Sequence, residues 1–124
     1  MHGSAAIRCF GRDRRLLKPA EFQRVLKKGA RAGGAYFRVI AVRGEHPQGR
    51  LGLAIAKRSL KRAVDRNLAK RVIRESFRHQ DAAVLGGLDV VVMANPGVRS
   101  ASLAALRDDI DRQLNRIRRK CDAS

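Results

Sequence analysis

Apolar residues recur along this chain with two periods, and the alternation of the periods predicts its elements. Phe22, Val25 and Leu26 recur three and four apart behind Lys18-Pro19-Ala20-Glu21, which predicts a helix with one apolar face. Its Pro falls in the first turn, where the missing N–H is not needed. Gly29 ends that helix, and Ala30 to Ala35, with Gly33-Gly34, reads as a loop. Tyr36 to Arg43 (YFRVIAVR) is rich in aromatic and β-branched residues and predicts a strand. Gly44 to Gly49 is a turn, Arg50 to Ala56 (RLGLAIA) a second strand, and the two predict an antiparallel hairpin. Val64, Leu68, Val72, Ile73 and Phe77 return to helical spacing within a helix from about Leu60 to Gln80, with Phe77 in the core. Gly86-Gly87 breaks the chain. Asp89 to Ala94 (DVVVMA) is an unbroken apolar run, which predicts a central strand covered on both faces. Asn95-Pro96-Gly97 turns the chain, Ser100 or Ser102 can cap the last helix, and Leu103, Leu106, Ile110, Leu114 and Ile117 line one face of that helix to about Lys120.

The order is therefore α-β-β-α-β-α: a single-domain α+β sandwich with a central sheet packed on helices. Residues 1–13 are expected to form a flexible basic tail, 14–120 the domain, and 121–124 a second tail. The chain has 124 residues, of which 44% are apolar, enough for one packed core and too few for two ordinary domains.

Charge changes the picture most. Lys and Arg number 28 against 11 acids, for a net charge of +17, an imbalance that speaks to partners rather than to fold. Nine of the cations lie between Lys57 and Arg78, opposed only by Asp65 and Glu75. Arg62, Arg66, Lys70, Arg74 and Arg78 fall four apart. Residues at i and i+4 are neighbours on a helix surface, which predicts a stripe roughly 24 Å long at ~1.5 Å rise per residue. Like charges at that spacing destabilise an isolated helix by a few tenths of a kcal/mol per pair. RNA or DNA would relieve that repulsion. Arg78, at the helix end, also complements the helix dipole.

Several other classes fall away. No apolar run nears the ~20 residues that span a bilayer, the chain has no Trp, and MHGSAAIRCFGRDRR has no hydrophobic segment of a signal peptide, so the expected location is cytoplasmic. Cys9 and Cys121 lie far apart without a CxxC, and His2, His46 and His79 are scattered. They predict reduced thiols rather than a metal site. No Ser-His-Asp set or paired carboxylates suggest catalysis by the protein. Asp108, Asp109 and Asp111, within one turn, read as a solvated face or as dipole complement.

The stretch GLAIAKRSLKRAVDRNLAKRVIRESFR resembles the signature of the bacterial ribonuclease P protein component. The family pattern is matched by Gly52-Leu53, Lys57-Arg58, Ala63-Val64, Arg66-Asn67, Lys70-Arg71, Arg74-Glu75 and Phe77-Arg78. RLLKPAEFQRVLKKGAR is similar to the family's first helix and loop. Agreement in order and spacing runs from about Arg14 to Arg119. The chain departs from the pattern at Leu68, where the family has a second Arg, and at Leu26, where it often has a second aromatic.

The resemblance implies the small subunit of a ribonucleoprotein endonuclease. Its catalyst would be an RNA that holds Mg²⁺ and removes the 5′ leader from precursor tRNA, the protein alone being inactive and having no obligate protein partner. Lys57, Arg58, Arg62, Arg66, Lys70, Arg71 and Arg74 would bind the catalytic RNA's backbone. Asn67 would make an RNA or metal-adjacent contact, although a hydrogen bond to a neighbouring helical turn accounts for it as well. Phe22, Leu26, Tyr36 and Phe37 are the candidates for a leader-binding groove, because single strands are gripped by stacking beside positive charge. Tyr36 and Phe37 point to opposite faces of a strand, so only one can line that groove, and core packing competes for all three aromatics. The resemblance also implies a left-handed crossover around the basic helix, against the usual rule. The alternative is a general RNA-binding or ribosome-associated, chaperone-like protein. A DNA-reading helix would need a helix-turn-helix or dimer element that the flanking segments do not supply.

Overall fold

The computed structural model describes residues 19–44, 49–80 and 87–123. The expected N-terminal tail with Cys9 and His2, the middle of the 44–49 turn with His46, and Gly86 lie outside the described residues. The elements are α1 (Pro19–Lys28), β1 (Ala30–Gly33), β2 (Phe37–Arg43), β3 (Arg50–Ala54), α2 (Ala63–His79), β4 (Leu88–Ala94), a 3-10 segment (Pro96–Ser100) and α3 (Leu103–Ala123).

β4 organises the sheet. Leu88 to Val92 and Ala94 are all buried, and a strand apolar on both faces belongs in a sheet interior. The strand order is β1-β2-β4-β3. β4 runs antiparallel to β2, with Val39 opposite Val92, and parallel to β3, with Leu53 opposite Val92. The expected β2–β3 hairpin is therefore overturned: β4 inserts between the two. The reason is partly apolar burial and partly register, because the insertion sets Arg50 opposite Asp89. A direct hairpin would leave Asp89 without that partner.

The segment read as a loop contains β1, which pairs antiparallel with β2 from Ala30↔Ala41 to Gly33↔Arg38. Its sequence, ARAG, has no β-branched residue, so nothing in its side chains announced a strand. Backbone pairing and burial of Ala32 override propensity here.

The two faces of the sheet are covered unequally. On one, Phe37, Val39, Ala41, Leu51, Val90 and Val92 pack with Ala69, Val72, Ile73 and Phe77 of α2 and with Leu106, Ile110, Leu114 and Ile117 of α3. On the other, Ile40 and Val91 lie under Val25 of α1, with Phe22, Leu26, Val42, Ala54 and Met93 half-buried around them. Val25 is fully buried, and such a side chain contributes about 1.5–3 kcal/mol. Val64, expected in the apolar stripe, is 61% exposed; it sits in the first turn of α2, away from the buried set that begins at Ala69. α3 also runs past Lys120, where a tail was expected, and Cys121 is buried in the main core.

Two buried carboxylates fix this frame. Asp89 accepts hydrogen bonds from Arg24 Nη1 at 3.0 Å and from Arg50 Nε and Nη2 at 2.9 Å each. Arg50 also pairs with Glu21, and Arg24 Nη2 donates to the Arg43 carbonyl. The network ties α1 to β3, β4 and the end of β2. Hydrogen bonding to Asp89 is the main cause holding the Arg50 pKa above its ordinary value, with the charges of Asp89 and Glu21 adding to it and burial opposing.

Asp109 corrects the reading of the acidic turn as a solvated face. It is 5% exposed, and its Oδ2 accepts the N–H groups of Tyr36 and Phe37 at 3.1 and 3.0 Å, anchoring α3 to the start of β2. A Cβ on Gly34 would lie 2.1 Å from Asp109 Oδ1, so only glycine permits this close approach. Of the other two acids, Asp108 is exposed and pairs with Arg112, and Asp111 accepts a hydrogen bond from Ser76 Oγ.

Candidate nucleic-acid interface

α2 lays its apolar side, Ala69, Val72, Ile73, Ser76 and Phe77, on the core. Asn67, Arg71, Arg74 and Arg78 face outward and are exposed. The five-membered cation row does not stay on that face. With 3.6 residues per turn, a four-residue step overshoots a full turn by about 40°, so the row winds roughly 160° around the helix from Arg62 to Arg78. Arg66 and Lys70 consequently sit half-buried on the flank, while Arg62, Arg74 and Arg78 are exposed. The basic surface is a band wrapped obliquely around α2 rather than a straight stripe.

Within the band the residues differ in what they touch. Arg66 Nη1 donates to the Leu60 and Lys61 carbonyls, both at 2.9 Å, so this side chain fixes the turn entering α2 as well as carrying charge. Leu60 is itself buried in the core, which anchors that turn from below. Lys57 and Arg58, in the turn that follows β3, are exposed. Arg71 lies 3.8 Å from Glu75, which also faces Arg107 of α3 at 3.6 Å. Both are solvated pairs of small worth, and they leave the guanidinium of Arg71 open to water. Leu68, at the departure from the family pattern, packs on the margin of the main core.

The band continues onto a neighbouring element. Arg58, Lys61 and Arg62 line a cleft of about 290 Å³ with Asp65 and with Arg99 of the 3-10 segment. Sequence reasoning singled out neither Lys61 nor Arg99. Lys61 lay within the basic run; Arg99 stands alone after a turn, and no local pattern could have placed it beside α2.

The four groove candidates are not brought together. Phe37 is fully buried in the main core. Tyr36 is half-buried against that same core at the end of the sheet, where its carbonyl accepts the Asn95 N–H at 2.8 Å. Phe22 and Leu26 lie on the other face, half-buried around Val25, Ile40 and Val91. The half-buried apolar residues there are Phe22, Leu26, Val42, Ala54 and Met93, and neither Tyr36 nor Phe37 is among them.

Among the described residues, no three His, Cys, Asp or Glu side chains are placed to share a metal ion, and no helix is long and apolar enough to cross a membrane. Asp89 and Asp109 are committed to arginine and backbone donors. What the surface offers chemically is dense positive charge on α2 and, on the opposite face of the sheet, a half-buried apolar cluster beside α1.

Residues 10–118 match the family model described as Ribonuclease P. The chain is 36% identical over 115 residues to the ribonuclease P protein component of Methylococcus capsulatus, covering 93% of this chain and 89% of that one. It is 37% identical to that of Nitrosococcus oceani, covering 93% and 96%. Among solved structures, the Staphylococcus aureus RNase P protein superimposes with a TM-score of 0.75 at 31% identity, over 82% of this chain and 92% of that one. The Thermotoga maritima RNase P protein gives 0.72 at 26% identity, over 83% and 96%. Signature, fold and relatives agree: the chain belongs to the ribonuclease P protein family.

Proposed function

We propose that this chain is the protein subunit of a ribonuclease P holoenzyme, acting in the cytoplasm on precursor tRNA. The observation that carries the proposal is the exposed band on α2, built from the residues that match the family signature and set on a frame whose buried carboxylates are already engaged. Lys57, Arg58, Arg62, Lys70, Arg71 and Arg74 hold the backbone of the catalytic RNA, each neutralised phosphate releasing counterions. Arg can bridge phosphate oxygens with two parallel hydrogen bonds. Arg66 contributes charge while bracing the turn before α2, and Asn67 faces the same RNA. Phe22 and Leu26 offer the apolar face on which unstacked leader bases rest.

Cleavage of the leader belongs to the RNA in this reading. Mg²⁺ would be held mainly by that RNA, as the resemblance to the family implies. The protein's own work is to neutralise, position and grip. The test is precursor-tRNA cleavage by the cognate catalytic RNA at low Mg²⁺, with and without the protein. Strong stimulation is expected, and it should be lost in the Arg62→Ala, Lys70→Ala, Arg74→Ala triple variant. Absence of stimulation, with generic RNA binding intact, would leave the chaperone-like reading standing instead.

A further inference from the structure

Six of the described acids are engaged inside the protein. Glu21, Glu75, Asp89 and Asp108 each pair with an arginine, Asp109 accepts two backbone N–H groups, and Asp111 accepts from Ser76. Asp65 differs. Its Oδ2 is buried and accepts no hydrogen bond among the described residues. Yet it lines the cleft of about 290 Å³ at the entrance to α2 together with Arg58, Lys61, Arg62 and Arg99. In a chain of net charge +17, a carboxylate among four cations should be the easiest to pair. Among the described residues, none of those four side chains pairs with it or with any other group. A place in the first turn of α2 lets Asp65 complement the helix dipole. That accounts for an acid at this position, but not for four unpaired cations around it.

Unpaired charges of both signs around one cleft suit a ligand that carries acceptors and donors together. A metal ion would satisfy the carboxylate and repel the cations. A bare phosphate would satisfy the cations and repel the carboxylate. A nucleotide satisfies both, because its phosphates accept from Arg and Lys and its base edge presents N–H donors. Guanine fits best: N1–H and N2–H lie side by side on its Watson–Crick edge and match the two oxygens of a carboxylate. In a duplex that edge is taken, so the guanine must be unpaired. The last torsion of an Asp side chain is broad, and a turn about it brings Oδ2 toward the cleft. Pro96 also lines the cleft and offers an apolar ring on which a base can rest.

We propose that this cleft is a guanine site: one unpaired guanosine of the partner RNA seats its base against Pro96, donates N1–H and N2–H to Asp65, and leaves its flanking phosphates on Arg58, Arg62 and Arg99. The inference rests on the reading that α2 faces the catalytic RNA, and it adds a base-reading element to that face. The cations of α2 grip any RNA backbone, whereas a base contact fixes which nucleotide lies where. A strand without guanine at this point would bring phosphates toward Asp65 with no donor to offset the repulsion. The cleft therefore sets register along the RNA.

The first probe is guanosine 3′,5′-bisphosphate, titrated into the full chain beside its inosine and adenosine counterparts and followed by NMR at the backbone amides of the cleft. Guanosine should bind about tenfold tighter than adenosine, with inosine, which lacks the N2 amine, between them. Asp65→Asn should abolish the preference, and Arg99→Ala should weaken all three alike. Asn and Asp have similar helix propensity, so the first variant keeps the fold. Equal binding of the three by the wild type, or a preference that survives Asp65→Asn, would overturn the site. The second measurement is affinity for the intact catalytic RNA. Loss of an acid should strengthen the hold of a basic protein on any polyanion. With a guanine seated on Asp65, Asp65→Asn should instead weaken that hold about tenfold. A guanosine preference among the bisphosphates, combined with tighter RNA binding by Asp65→Asn, would overturn the RNA occupant and assign the cleft to a free guanine nucleotide. If the wild-type chain did not bind the catalytic RNA at all, the subunit reading would fall, and the bisphosphates would still decide the cleft.

Discussion

Arginines serve opposite ends in two regions of this molecule. At one end of the sheet, Arg24 and Arg50 converge on Asp89, which is 1% exposed, and Arg50 retains only 19% of its side-chain surface. On α2, Arg71 keeps 65% of its surface and meets a single half-exposed Glu75. The residue type is the same, and local access to a buried acid separates the roles. In the first region the positive charge is spent inside the protein and holds α1 on the sheet. In the second it remains unspent, which is what a polyanion requires.

The sharpest way to break the comparison is to remove the acid. Asp89→Ala would leave Arg24 and Arg50 facing each other with only Glu21 as a counter-charge. Breaking a buried pair in this way costs about 3–5 kcal/mol, so the melting temperature should drop by roughly 10–20 °C for a domain of this size. Thermal unfolding followed by circular dichroism reads this directly. A shift of only a few degrees would mean that apolar packing under Val25, not the ion network, clamps α1.

The complementary change leaves stability alone and strikes recognition. The Arg62→Ala, Lys70→Ala, Arg74→Ala variant removes three outward or flanking charges without emptying the core. Affinity for the catalytic RNA should fall about 100-fold at moderate salt, with the slope of log affinity against log salt reduced by about 2 to 3. That loss is about 2.7 kcal/mol. The melting temperature should stay the same or rise slightly as like-charge repulsion along the helix is relieved. A fall comparable to that of Asp89→Ala would place these residues with the structural arginines.

How much of this was legible in the sequence follows from the range of each interaction. The helices, the order of elements, the central position of β4 and the basic character of α2 were readable, because periodicity and charge density are local. Partnership across the sheet was not. Nothing within β2 or β3 says that β4 separates them, and the Arg50–Asp89 contact that accompanies this register joins residues 39 apart. β1 was missed because Ala and Gly carry no strand signature, and Phe37 was offered to a groove because alternation gives two faces without saying which one is covered. Asp109 looked like its acidic neighbours until the approach of Gly34 and the two N–H groups of β2 made it an internal anchor. On the candidate interface, the signature named the residues, but helical drift redistributed them, and Arg99 entered only through the fold.

The smallest expected effect isolates the variable that the comparison turns on. Arg112 and Asp108 on α3 approach to 2.6 Å, closer than the 2.9 Å between Arg50 and Asp89, yet their side chains are 62% and 70% exposed. If distance set the value of an ion pair, the α3 pair would be the stronger. Water and salt screen it, and two long exposed side chains lose freedom to form it, so pairs of this kind are worth about 0.2–0.5 kcal/mol. A double-mutant cycle with Arg112→Ala and Asp108→Ala should give a coupling of that size that fades with added salt, beside a coupling several times larger for Arg50 and Asp89 that persists. Equal couplings at the two sites would show that geometry rather than burial divides the arginines of this protein. The free charge on α2 would then need an explanation other than its distance from a buried acid.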